Sequence, residues 1–221
     1  MNPASRWSLL RRQVARRTWL LGFLPLLAAC QSSYSPAEPV RFEGRAVQLT
    51  ARSVRESRRV ALKVTAKEAP TPSPVPPPGE EQEEAPPVAA EDIEFELISL
   101  SFEVHHRWKN LSEKEMAVRP WFRVRVVDER DKRIVAERAV MVGDSRDAVH
   151  PLVLGNPPIE VCRFTRRCEA TFRLEFERQE LELVSQEPPS ESTLSSTWSV
   201  IANAQASNAD GERLDVTLSE R

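Results

Sequence analysis

The chain has 221 residues, with 31 Lys and Arg against 33 Asp and Glu and a formal net charge of −2. That balance excludes the strongly basic surface that nucleic-acid partners require, and the length allows one sizeable domain with little beyond it. Glycine is scarce at 6, proline is high at 18, and there are three cysteines.

The N-terminal stretch reads as an export segment. Residues 1–17 hold Arg6, Arg11, Arg12, Arg16 and Arg17 and no acid, Thr18 to Leu27 are dominated by Trp, Leu and Phe, and Ala28 and Ala29 follow. A basic region, an apolar region and a small-residue cut site, in that order, predict a secretory signal over residues 1–29. The apolar run is shorter than the about 20 residues that span a bilayer. Leu27-Ala28-Ala29-Cys30 resembles the lipobox of bacterial lipoproteins. The resemblance implies cleavage before Cys30, a diacylglycerol thioether on its sulfur, and a further fatty-acyl chain such as palmitate on the new amine. Covalent lipid on Cys30 is the sole cofactor-like group expected. Gln31 is similar to the residue found in outer-membrane-directed lipoproteins, which implies a periplasm-facing protein held on the outer membrane. An ordinary signal peptide with a chance cysteine, or a short retained anchor, is the alternative. Arg16-Arg17-Thr18-Trp19-Leu20 also looks like a twin-arginine export signal, with a generic basic region as the alternative. Removing residues 1–29 takes away five arginines and no acid, so the net charge moves from −2 to −7.

Residues 30–40 are polar and read as a lipid-anchored tether of some 30 Å when extended, at about 3.3 Å per residue. Residues 41–68 carry 8 Lys and Arg against 3 acids. Val60, Leu62, Val64 and Ala66 alternate with Ala61, Lys63 and Thr65, so this segment predicts a basic, hairpin-like pair of strands at 42–50 and 58–66. It is too short to bury a core alone. Its arginines either meet anionic lipid or polysaccharide, or face water and pair with the acidic remainder. Residues 69–92 hold eight prolines, six acids and no base. Proline has no amide donor and the acids repel one another, which predicts a disordered, semi-rigid spacer.

From residue 93 to 221 the pattern is that of strands. Ile98, Leu100, Phe102, Val104, His106 and Trp108 share one face. Asn110-Leu111-Ser112 reads as a turn. Phe122, Val124 and Val126 oppose Arg123 and Arg125, and Ile134, Ala136 and Val140 form one face of the next strand. Strands are also expected at 149–154, 159–164, 169–177, 197–202 and 214–218. Seven or more short strands with turns between them predict an all-β fold, an antiparallel β-sandwich. The run from Val104 through Asn110 and Phe122–Asp128 to Ile134-Val135 resembles the Ig-like, FxLYD-type modules of bacterial envelope proteins, which implies an Ig-like sandwich. With Cys30 taken by lipid, Cys162 and Cys168 remain to pair in an oxidising compartment. The five residues between them would make a hairpin clasp.

Chemical signatures are sparse. His105 and His106 are adjacent on a strand and point to opposite faces, so they cannot share a metal. Asp144, Asp147 and His150 match no cation-loop spacing, and no nucleophile elbow, zinc helix or phosphate loop occurs. Trp121, out of phase with Phe122 and Val124, is the candidate exposed aromatic. Arg163, Arg166 and Arg167 at the clasp tip are candidates to grip phosphate or carboxylate, or else keep a sheet edge soluble. The expectation is a non-catalytic lipoprotein, with no metal, that docks an envelope protein partner. The alternative is a glycan-binding module for peptidoglycan or surface polysaccharide that uses Trp121 and the clasp arginines. A small hydrolase is the third reading.

Overall fold

The alternation of apolar and charged residues becomes two antiparallel sheets. The computed structural model describes residues 34–69, 88–143, 150–155, 158–179 and 191–221. The leader, Cys30, Asp144, Asp147 and most of the proline-rich segment lie outside the described residues. Within them are β1 (Val40–Glu43), β2 (Val47–Thr50), β3 (Arg55–Ala66), β4 (Phe95–Lys109), helix α1 (Glu113–Val118), β5 (Trp121–Asp128), β6 (Ile134–Met141), β7 (His150–Leu154), β8 (Arg167–Arg178), β9 (Thr193–Ala206) and β10 (Leu214–Glu220). One sheet has the order β1-β9-β4-β7, with β2 also on β9, and the other the order β10-β3-β8-β5-β6.

The core lies between the inward faces. Ile98, Leu100, Phe102, Val104, His106 and Trp108 are all buried on β4, as their period of two predicts. They meet Phe122, Val124 and Val126 of β5 and Ala170, Phe172, Leu174 and Phe176 of β8. Phe102 and Phe172 pack edge to face with ring centroids 6.3 Å apart, a favoured aromatic geometry. The opposite, wet face of the second sheet is a lattice of ion pairs. Arg55 and Arg123 both hold Glu177, Arg125 holds Glu137, and Arg173 holds Glu129 and Glu175.

Four expectations change. Residues 41–68 do not form a hairpin: β1 and β2 pair with β9 in one sheet, whereas β3 pairs with β8 and β10 in the other. The backbone of each strand finds long-range partners, and the arginines on β3 pair with acids, Arg55 with Glu177 and Arg58 with Glu220. The strand expected at 42–50 is broken at Gly44, where the Trp198 indole lies so close that a Cβ would sit 1.8 Å from its ring. The strand expected at 159–164 is a single 3-10 turn, Glu160–Cys162, because the disulfide closes a loop too short for two paired strands. The turn at 110–112 continues into α1, which Ser112 and Glu115 cap reciprocally. The Ser-x-x-Glu spacing that announces such a capping box was present in the sequence.

The chain ends of two segments also differ from expectation. Residues 35–40, read as free tether, lie on the sandwich: Ser35 donates from its N and Oγ to Asp210, and Ala37 N donates to the Ala204 carbonyl. Ser35 and Ala37 are therefore part of the folded body. The proline-rich segment leaves and returns at one place. Arg213 donates to the Lys67 carbonyl at 3.1 Å and to the Val88 carbonyl at 2.9 Å. Residues 70–87 themselves lie outside the described residues.

Candidate functional site

His105 and His106 point to opposite faces of β4. The His106 ring is buried 5.1 Å from that of Phe122, while His105 Nε2 is 3.1 Å from Glu103 on the outer face. Among the described residues no three His, Cys, Asp or Glu side chains converge to hold a metal.

Cys162 and Cys168 form a disulfide with Cα atoms 5.2 Å apart, both buried. The clasp is stitched to the start of β4: Phe164 N donates to the Phe95 carbonyl, and Phe95 N donates to that of Thr165. Thr165 Oγ1 also donates to the Cys162 carbonyl at 2.7 Å. These bonds hold Phe164 in the left-handed region, at φ 57°, with its ring exposed. The Arg163 guanidinium covers that ring at 4.9 Å. Arg166 faces Asp92 at 3.7 Å and Arg167 pairs with Glu169 at 2.6 Å.

Trp121 is half-buried, and Arg123 lies 5.2 Å from its ring centre. It stands beside the Arg178 end of β8, whereas Arg167 begins that strand. Eleven residue steps of about 3.3 Å separate those two ends. Trp121 and the clasp arginines therefore occupy opposite ends of the sandwich and do not form one site.

A cleft that sequence reasoning missed opens between the sheets. It holds about 300 Å³, and Leu100, Phe102, Phe172, Ile159 and Val135 give it an apolar floor. Asp128, Arg130, Asp131, Arg133 and Glu160 form its rim. The charged run 128–133 was legible as a turn, but only the tertiary fold sets it beside the core side chains of β4 and β8. Two pairs of rim charges are matched internally. Arg130 Nε donates to Asp128 at 2.9 and 3.1 Å, and Arg133 faces Asp131 at 3.7 Å. The hydrogen bonds from Arg130 hold the Asp128 carboxyl below its ordinary value of 3.8, against the upward push of burial. Val135 continues into β6, the outermost strand of its sheet, where Ile134 and Met141 are exposed. β6 contains no proline, unlike β7, where Pro151 sits in the edge strand.

A second missed group is internal. Arg178, 1 % exposed, donates to the Ser192 carbonyl at 2.8 Å and to Ser192 Oγ at 2.9 Å. Ser192 Oγ in turn donates to Glu115 at 2.7 Å, and the Arg178 guanidinium stacks 4.8 Å over Trp108. Burial pushes the Arg178 pKa down, and the nearby Glu115 charge opposes it. This network ties α1 to the ends of β8 and β9.

Compared with known proteins, the chain matches no family model and no curated protein sequence.

Proposed function

We propose that this chain is a bacterial envelope lipoprotein, anchored through lipid on Cys30, whose sandwich docks another envelope protein without catalysing a reaction. The leader and the Leu27-Ala28-Ala29-Cys30 motif support the anchor, and Gln31 supports the outer membrane, periplasmic side. Two antiparallel sheets are the architecture that Ig-like modules share, which supports that finer reading of the fold.

The observation that carries docking is the inter-sheet cleft. Its floor is apolar, and on its rim Arg130 pairs with Asp128 and Arg133 with Asp131. Such a site offers a pocket for a partner's apolar side chain and a polar border to orient it. The adjoining β6 is an edge strand of its sheet among the described residues, which suits the addition of an extended segment.

The test is photo-crosslinking in cells from a probe at Val135, compared with one at Thr217 on the far edge strand. Docking through the cleft predicts a discrete crosslinked product from 135 that Arg133→Glu removes and that 217 never gives. Equal products from both positions, or none, would refute it. Peptidoglycan binding by the mature protein that Trp121→Ala abolishes would favour the glycan-binding alternative.

A further inference from the structure

The anchor reading has a geometric consequence for one end of the sandwich. Cys30 and Ser35 are five residues apart, a reach of at most about 18 Å at 3.6 Å per residue. The lipid on Cys30 lies in the hydrocarbon layer, so the headgroup region consumes about 5–8 Å of that reach. By contrast, β4 runs for 15 residues, about 50 Å at 3.3 Å per residue. On the anchor reading, Ser35 lies within about 13 Å of the headgroup layer, so the end of the sandwich that holds it is the end brought nearest the bilayer.

The contacts show what else lies at that end. Ser35 bonds Asp210. Asn208, two residues earlier, donates to the Asp92 carbonyl at 2.8 Å. Asp92 faces Arg166 of the clasp, and Phe95, which starts β4, bonds Phe164 and Thr165. The disulfide clasp therefore shares the anchor end. It presents the two exposed apolar side chains Phe164 at 60 % and Val161 at 59 %, beside Arg163 and Arg166.

Resting on the lipid-anchor reading, we infer that the clasp between Cys162 and Cys168 is a membrane-contact element, which seats Phe164 and Val161 in the phospholipid headgroup layer. An aromatic ring with guanidinium groups around it is the chemistry of a bilayer interface. The ring enters the headgroup–acyl boundary, and Arg163 and Arg166 meet lipid phosphates. Acids at the same end, Asp92 and Asp210, face Arg166 and Ser35, so the contact does not depend on a surplus of anionic lipid. The backbone bonds that fix Phe164 at positive φ hold the ring outward at no further ordering cost on contact.

The test uses the full lipidated protein in phosphatidylethanolamine–phosphatidylglycerol vesicles. Trp is placed singly at position 164 (Phe164→Trp), 161 (Val161→Trp) or, as a control, 53 (Ser53→Trp), in the exposed turn between β2 and β3. The expected result is a blue-shifted emission at 164 and 161 that brominated phospholipid quenches and aqueous iodide does not, with the opposite pattern at 53. The unsubstituted protein supplies the background of its own tryptophans. If the protein floats with vesicles but positions 164 and 161 are as open to iodide as 53, the inference is overturned and the anchor stands. If the protein does not float, or a Cys30→Ser variant floats equally well, the anchor reading fails and the inference with it.

Discussion

Removing the Arg178 side chain tests whether the buried polar network is a structural tie. Arg178→Met keeps most of the volume but strips out the donors to the Ser192 carbonyl and Oγ. It also removes a charge that acts on Glu115, which is 4 % exposed and joined to Arg178 through Ser192. Breaking one partner of a buried ionic pair costs about 3–5 kcal/mol. A domain of this size loses about 2–4 °C of Tm per kcal/mol, so the melting temperature of the variant falls by roughly 6–20 °C. Removing the other charge as well, with Glu115→Leu beside Arg178→Met, restores part of the loss. The two sites couple by about 0.5–3 kcal/mol. Urea and thermal unfolding followed by circular dichroism measure all three variants. A cost below about 1 kcal/mol for Arg178→Met would refute the argument. So would additivity within about 0.5 kcal/mol in the cycle.

Other expectations follow from the same geometry. Gly44→Ala drives a methyl into the Trp198 ring and costs about 1–3 kcal/mol as overpacking does, whereas Gly143→Ala, with nothing within 4 Å, leaves chemical denaturation unchanged. Reducing the disulfide, or replacing both Cys162 and Cys168 by Ala, lowers stability by about 2–3 kcal/mol for so short a loop, measured with and without reductant. Stability is also predicted to fall in acid. Asp128 is held below 3.8 chiefly by Arg130, and Glu177 is pushed up by burial but held below 4.5 overall by bonds from Arg123 and Arg55. Depressed carboxyl values contribute stability above the unfolded values, and that stability is lost as pH drops through the folded ones. Tm should therefore be flat with respect to these groups from neutral pH down to about 5 and fall below that. Asp128→Asn should flatten part of the acid limb, and an unchanged limb in that variant would count against the ion pair.

Much of the fold was legible because strand periodicity is a local signal. The inward residues of β4, β5 and β8 follow from alternation alone, since a strand buried on one face must place its apolar side chains at every second position. The cysteine pair was legible from the short spacing of Cys162 and Cys168. The cleft was not, because its lining comes from β4, β8, the β5–β6 turn and the segment before the clasp, which no sequence window contains together. Trp121 and the clasp arginines looked like one site in the sequence, yet register places them at opposite ends of β8.

The sequence by itself determined an all-β body, the inward faces of its long strands and Cys162 and Cys168 as a pair. Tertiary structure alone decided that residues 41–66 are divided between two sheets, that Lys67 and Val88 meet at Arg213, and that Ser35 and Ala37 bond to the sandwich. The physical reason is that alternation specifies which side of a strand is apolar, while sheet membership depends on backbone hydrogen bonds between distant segments, which carry no residue-specific signature.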